Sequence, residues 1–296
     1  MILLVGPRDL GRGEEAASAT EGDAHTTRVR NPSRRVPEKG ETGMKIIGNT
    51  MLFTGGSSGL GRALARRFHD IGNDVIVTGR CTAGLDETVA GRSRMTAYHL
   101  EFTDAAAIER FARRVAAEHP RLNVLFNNAG IMRREDLTME RDLYDAEKMI
   151  KVNLLGPIRF TNALISHLTH QADAAIVNIS SGHAFVPLTV TPTYSATKAA
   201  LHSYSVSLRE QLRGKVEVIE LVPPALRTEL MPHQSLRADC MQVDQFVEEA
   251  MHLFRRQPTP PEILVERVRF LRDAEAENRF KRALAAVTLA EEEQLY

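Results

Sequence analysis

Tyr194-Ser195-Ala196-Thr197-Lys198 sets a phenol and an ammonium four residues apart, in a helix-like stretch that continues to Arg213. On a helix, positions i and i+4 share one face, one turn apart. A free tyrosine with a pKa near ~10 is a poor base at neutral pH. An ammonium held beside it favours the phenolate, and a shift of ~3 units corresponds to about 4 kcal/mol. The chemistry such a pair offers is acid–base work by an activated phenol. Tyr and Lys at this spacing also meet by chance on many helices, so the neighbours decide.

A second cluster is Thr54-Gly55-Gly56-Ser57-Ser58-Gly59-Leu60-Gly61, placed between an apolar run and a helical pattern. Gly55 lets the chain turn sharply. Gly59 and Gly61 let backbone and helix approach a pyrophosphate seated on the helix N-terminus. The spacing is G-x3-G-x-G rather than G-x-G-x-x-G. A glycine-rich turn is often only a turn; a strand before it and a helix after it point to a dinucleotide. The next apolar run ends in Thr78-Gly79-Arg80. An acid there would bond both ribose hydroxyls and repel a 2′-phosphate, whereas Arg80 offers that phosphate a charge-assisted fork. NADP(H) is therefore the favoured cofactor and NAD(H) the alternative. Ser57 and Ser58 add hydroxyl donors, although a plain surface arginine is the commonest fate of any Arg.

The elements that must hold these groups follow from periodicity. Strand candidates are Met51–Thr54, Val75–Thr78, Thr96–Leu100, Val124–Asn127, Ala175–Ile179 and Val216–Val222, with Ile263-Leu264-Val265 as a short last strand. Leu64, Phe68 and Ile71 share one helix face, as do Ile108, Phe111 and Val115. Thr103 or Asp104 caps the second of these helices. Repeated βα alternation predicts an α/β fold: one doubly wound parallel sheet covered on both faces.

With Asn127-Asn128-Ala129-Gly130, Asn153 and Ser180-Ser181 added in order, the chain resembles the compact branch of the short-chain dehydrogenase/reductase family. The resemblance is close from Met44 to about Thr228 and looser to about residue 270. It implies a Rossmann-like domain and an NAD(P)-dependent oxidoreductase acting on CH–OH groups. Ser181 stands 13 residues before Tyr194, the family's usual separation, and is chosen over Ser180. The resemblance implies that Tyr194 exchanges the proton with the substrate oxygen, that Ser181 bonds that oxygen, and that Lys198 lowers the tyrosine pKa and holds the nicotinamide ribose. Asn153, within a helix over Asp142–Leu155, would hold a water linking Lys198 to solvent. Cofactor contacts would come from Gly55, Ser57, Ser58, Gly59, Leu60, Gly61, Arg80, Phe102, Asn128, Ala129, Gly130 and Thr228. Ser180–Leu188 and Val218–Pro224 resemble an uncharacterised bacterial DltE-like oxidoreductase subgroup.

Three departures from the family pattern stand out. Glu101 replaces the usual Asp and must reach the adenine amine with a longer side chain. Pro223-Pro224 replaces Pro-Gly, so the loop over the nicotinamide must differ. The last strand lacks its usual glycine ending, which argues against the family's common tetramer interface. The Asp142–Leu168 and Tyr194–Arg213 helices commonly build a dimer in this family, and a homodimer is expected.

Residues 228–261 are expected to form a substrate lid, with Leu230, Met231, Leu236, Met241 and Phe246 as its apolar surface. His183, Phe185 and Val186 follow Ser181 and are expected to line the same pocket. Arg133 and Arg134 either attract an anionic substrate or sit in a solvated loop, the latter being the commoner role. His167 and His170 lack a third ligand, so no metal is expected. Residues 44–270 form the expected catalytic domain and 271–296 a C-terminal helical segment. A non-catalytic dinucleotide-sensing regulator on the same fold is the alternative function, against which the intact Ser–Tyr–Lys set speaks. A sugar-nucleotide epimerase would need a differently spaced glycine turn and a larger C-terminal domain.

Composition excludes several other classes. The 296 residues carry 38 Lys+Arg against 38 Asp+Glu, so no basic groove for nucleic acid is expected. No apolar run is long enough to span a bilayer. Two distant cysteines, Cys81 and Cys240, fit a reduced, cytoplasmic protein, and the family resemblance implies a small carbonyl or alcohol as its partner. Residues 1–43 hold seven basic and seven acidic side chains and few large aliphatics. They read either as a disordered extension or as a mis-assigned start, with translation beginning at Met44 behind the purine-rich codons of Glu38-Lys39-Gly40-Glu41.

Overall fold

The computed structural model describes residues 44–292, and the expectations for residues 1–43 lie outside them. Strands β1 (Thr50–Thr54), β2 (Asp74–Gly79), β3 (Met95–His99), β4 (Leu122–Asn127), β5 (Ala175–Ile179), β6 (Glu217–Val222) and β7 (Glu262–Leu264) pair in parallel. Their order is β3-β2-β1-β4-β5-β6-β7. Successive residues on each strand point to opposite faces and feed two cores. Met51, Phe53, Val75, Val77, Val124, Phe126, Ile219 and Leu221 serve one face; Leu52, Ile76, Leu125, Ile176 and Val218 serve the other. Burial on both faces explains why these strands read as continuous apolar runs.

The helices are α1 (Gly59–Asp70), α2 (Thr82–Val89), α3 (Ala105–Glu118), α4 (Tyr144–Ile150), α5 (Gly156–Leu168), α6 (Pro192–Gln211), α7 (Val243–Phe254), α8 (Glu266–Arg272) and α9 (Phe280–Glu292). Leu64 and Phe68 of α1 cover the first core face; Ile108, Phe111 and Val115 of α3 cover the second. Asp104 is the α3 cap, its carboxylate accepting from the Ala107 N–H at 2.9 Å. No helix among the described residues is long and apolar enough to cross a membrane.

Two sequence expectations need correction. The single helix over Asp142–Leu168 is broken by a wide π-helical turn at Lys151–Leu155. Pro157 lacks the N–H that would close an α-helical bond to the Asn153 carbonyl, and the wider turn absorbs this. The 228–261 lid is also wrong for most of its length. Phe246, Val247, Ala250, Met251 and Phe254 of α7 recur at helical spacing and are buried in the first core. The Phe254 ring meets Phe68 with centroids 5.6 Å apart. Met241 is buried in the same core, and Leu236 is 79% exposed. Helix α7 covers the sheet rather than a substrate.

Candidate active site

In an open α/β sheet the crevice forms outside the carboxyl ends of the strands, where the winding reverses. Here that point lies between β1 and β4, and a cavity of about 660 Å³ opens there. Its lining joins two of the predicted sets: Gly55, Ser57, Ser58, Gly59, Leu60, Gly61, Arg80, Phe102, Asn128, Ala129, Gly130 and Thr228 with Ser181, His183, Tyr194 and Lys198.

The glycine turn is shaped by close approach. Gly55 has φ of +71°, and a Cβ on it would come within 2.7 Å of the Ala129 backbone. A Cβ on Gly61 would stand 2.2 Å from the Gly55 carbonyl oxygen and 2.3 Å from the Asn128 amide nitrogen. Asn128 holds the turn from the other side, donating to the Thr54 and Gly55 carbonyls at 2.9 and 3.0 Å. Arg80, exposed, follows the last residue of β2 at the same cavity. Among the described residues no acidic side chain lines that end, which fits a group carrying a 2′-phosphate.

Helix α6 delivers the acid–base pair, with Pro192 in its first turn, where the missing N–H costs no helical bond. Tyr194 and Lys198 are both buried. The Lys198 ammonium donates to the Ile179 carbonyl at 2.7 Å and lies 5.7 Å from the centre of the Tyr194 ring. Burial pushes the Tyr194 phenol up to about 12, against a hydrogen bond with Ser181. This reverses the direction expected from the Tyr–Lys spacing. The ammonium points to a backbone carbonyl, leaving desolvation as the dominant cause. The same burial takes Lys198 down to about 8, with the Glu220 carboxylate opposing it.

Ser181 leaves β5 in extended conformation and caps the short turn Gly182–Ala184, accepting from the His183 N–H at 3.2 Å. His183 faces the cavity, its ring 3.2 Å from the Val186 carbonyl; burial lowers its pKa. Asn153 sits in the π-helical turn with no exposure. Its amide clamps Ile131, accepting from the N–H at 2.9 Å and donating to the carbonyl at 2.8 Å, and it also donates to Thr197. The amide is thus spent on the loop after β4 and on α6.

Other predicted residues fall elsewhere. Phe185 is absent from the cavity wall and packs between His202 and the Arg272 guanidinium, which stands 4.6 Å from its ring centre. Val186 is buried against Ala274 and Ala283. Glu101 turns back on Thr103, accepting from its N–H and hydroxyl, and leaves the cavity wall to Phe102. Pro223 and Pro224 reach the cavity, and the following loop is pinned by a bridge between Leu226 and Met241. His167 and His170 bind the Leu122 and Ser166 carbonyls. Both cysteines are free thiols.

Sequence reasoning missed the far wall. Glu291 of α9 lines the cavity with its carboxylate buried between Arg134, at 2.5 Å, and Arg237. Arg134 comes from the loop after β4 and Arg237 from the loop after β6. No spacing could join a residue of the last helix to these two.

The family model for short chain dehydrogenase matches residues 49–239. The chain is 39% identical over 237 residues to an uncharacterized oxidoreductase DltE of Bacillus subtilis, covering 78% of this chain and 93% of that one. It is 32% identical over 188 residues to sulfoacetaldehyde reductase 2 of Chromohalobacter salexigens, covering 62% and 75%. The structure of a short-chain dehydrogenase from Sphingobium yanoikuyae in complex with NADPH superposes with a TM-score of 0.68 at 26% identity, covering 81% and 96%. Glycine turn, Ser–Tyr–Lys cluster and matched span together place the chain in the short-chain dehydrogenase/reductase family of NAD(P)-dependent oxidoreductases.

Proposed function

We propose that this protein interconverts a small carbonyl compound and the corresponding alcohol with NADP(H), and that Tyr194 exchanges the proton. The observation that carries this reading is a single cavity shared by the glycine turn, Arg80, Ser181, Tyr194 and Lys198. When bound there, the dinucleotide supplies or accepts the hydride. Tyr194 gives its hydroxyl proton to the carbonyl oxygen during reduction and takes one from the alcohol during oxidation. Ser181 Oγ bonds the same oxygen as charge develops on it. A phenol pushed up to about 12 is fully protonated at neutral pH, which suits the donor role in reduction. Lys198 offers its ammonium to the nicotinamide ribose. Arg80 and the NADPH complex of the Sphingobium relative support NADP(H), and the aldehyde of the Chromohalobacter relative supports a small carbonyl substrate.

A cytoplasmic homodimer completes the proposal. Tyr144 and Ile150 on α4 and Val206 on α6 are exposed apolar side chains on the helices that would form its interface. Light scattering after gel filtration tests that assembly.

Tyr194→Phe should lower turnover by ~10²–10⁴-fold while leaving NADPH affinity within a few-fold, because only the proton donor is lost. A carbonyl panel assayed with NADPH, alongside nucleotide titrations, measures both. Normal turnover by this variant would exclude the assigned role.

A further inference from the structure

A row of polar side chains crosses the sheet beneath α6. In the parallel register Asn127 stands beside Asn178, Asn178 beside Glu220, and Glu220 beside Glu262. Above it α6 presents Tyr194, Lys198, His202 and Ser205 on successive turns of one face. Asn127 donates to Asn178 at 2.8 Å, and Asn178 donates to the Ser205 hydroxyl at 2.9 Å. His202 Nδ1 lies 2.8 Å from Glu220 Oε2. Glu220 has no exposure, and its other carboxylate oxygen has no hydrogen-bond partner among the described residues. Leaving a buried carboxylate oxygen without a hydrogen bond is costly unless positive charge compensates it.

The cations packed around Glu220 come from two helices. His202, Glu220 and Glu262 have ligand atoms within 4.8 Å of one another, close enough to enclose a cation. The fold supplies one: Arg272 of α8 holds both Glu262 oxygens, at 2.7 and 3.0 Å. Arg209 of α6 is spent on the Val218 and Pro261 carbonyls. Lys198, one turn before His202, bonds the Ile179 carbonyl and, among the described residues, has no carboxylate within ion-pair distance.

We infer that Glu220 is a positioning residue for the reaction: its carboxylate, anchored by His202, is the buried counter-charge of the Lys198 ammonium. The inference rests on the proposed roles of Tyr194 and Lys198. Its electrostatics agree in sign. Glu220 opposes the desolvation that lowers Lys198, and the hydrogen bond to Glu220 raises His202. The carboxylate is thus shared. When His202 is protonated it neutralises Glu220; when His202 loses its proton, the full negative charge serves Lys198.

The test is NADPH affinity titrated from about pH 6 to about pH 10, which needs no turnover and reads the lysine itself. In the wild type affinity should fall as pH rises through about 8, where Lys198 loses its proton. Glu220→Gln should move that limb down by about 1 pH unit, and Glu220→Asp should restore part of the shift. His202→Gln, which leaves the carboxylate in place, should not move the limb to lower pH. A Glu220→Gln limb that coincides with the wild type overturns the inference. So does an equal acid shift in His202→Gln, which would mark both side chains as packing supports. If Glu220→Gln does not fold, Glu220→Asp is read in its place: a smaller acid shift supports the inference and no shift overturns it. Tyr194→Phe assayed in parallel separates the two proposals, since its normal turnover would remove the acid–base reading without touching the titration.

Discussion

Arg80 and Lys198 make the two residue-scale predictions. Gly79→Asp with Arg80→Ala should turn nucleotide preference from NADPH toward NADH. The new carboxylate repels a 2′-phosphate and accepts ribose hydroxyls, while loss of Arg80 removes a charge-assisted bond worth roughly 1.5–3 kcal/mol. The aspartate has little room, since a Cβ at Gly79 would lie 2.9 Å from the Ser57 hydroxyl, so a shift of Ser57 should accompany it. Kd values for both nucleotides decide the matter; an unchanged NADPH Kd would place Arg80 away from the phosphate. Lys198 sets the second expectation through its sign. A lysine is charged below its pKa, so with Lys198 at about 8 the ammonium is present at neutral pH and lost in mild alkali. Lys198→Met should weaken NADPH binding and abolish that pH limb, whereas Tyr194→Phe should keep it. The candidate catalytic residues were legible because their types and order along the chain are informative. The upward shift of Tyr194 was not, because burial is a property of the folded environment.

At the scale of elements, the far wall of the cavity depends on α9. Helices α8 and α9 lie against the turn that carries Ser181: a Cβ on Gly182 would come within 2.7 Å of Leu271, and Val186 is buried with Ala274 and Ala283. Glu291 then joins α9 to the loops that carry Arg134 and Arg237. Glu291→Gln should lower stability by about 1–2 kcal/mol, because Arg134 is partly solvated and Arg237 keeps Asp239 as a partner. That corresponds to a Tm loss of about 2–8 °C for a domain of this size. It should also raise KM for the carbonyl more than it lowers kcat, since the wall loosens while Ser181 and Tyr194 stay in place. Thermal melts and steady-state kinetics read these separately; a loss confined to kcat would contradict a substrate contact for the wall that α9 builds. The π-helical turn belongs to the same scale. Pro157 hinted at an interruption, yet only the packed structure shows Asn153 turned onto Ile131.

For the whole molecule, both core faces of the described residues are filled by side chains from Met44 onward, and Met44 is itself buried with its backbone N–H on the Glu217 carboxylate. The composition of residues 1–43 offers little apolar surface to add to either face. Their deletion should leave Tm within about 2 °C and NADPH affinity unchanged, as melting curves and nucleotide titrations would show. A larger fall in Tm would mean that the segment packs on the domain. By itself the sequence determined the sheet and its parallel winding, because strands buried on both faces must be apolar throughout and helices between them must carry an apolar stripe. It also determined the glycine turn and the Tyr194–Lys198 pair, whose spacings are local, while the family resemblance pointed to Ser181. Only the tertiary structure decided which apolar side chains belong to the core and which to the pocket, as Phe246, Met241 and Phe185 show. The same holds for the joining of Glu291 to Arg134 and of Glu220 to His202, at separations of 157 and 18 residues. Pairings of that kind arise from how helices settle on a sheet, and periodicity along one chain carries no record of them.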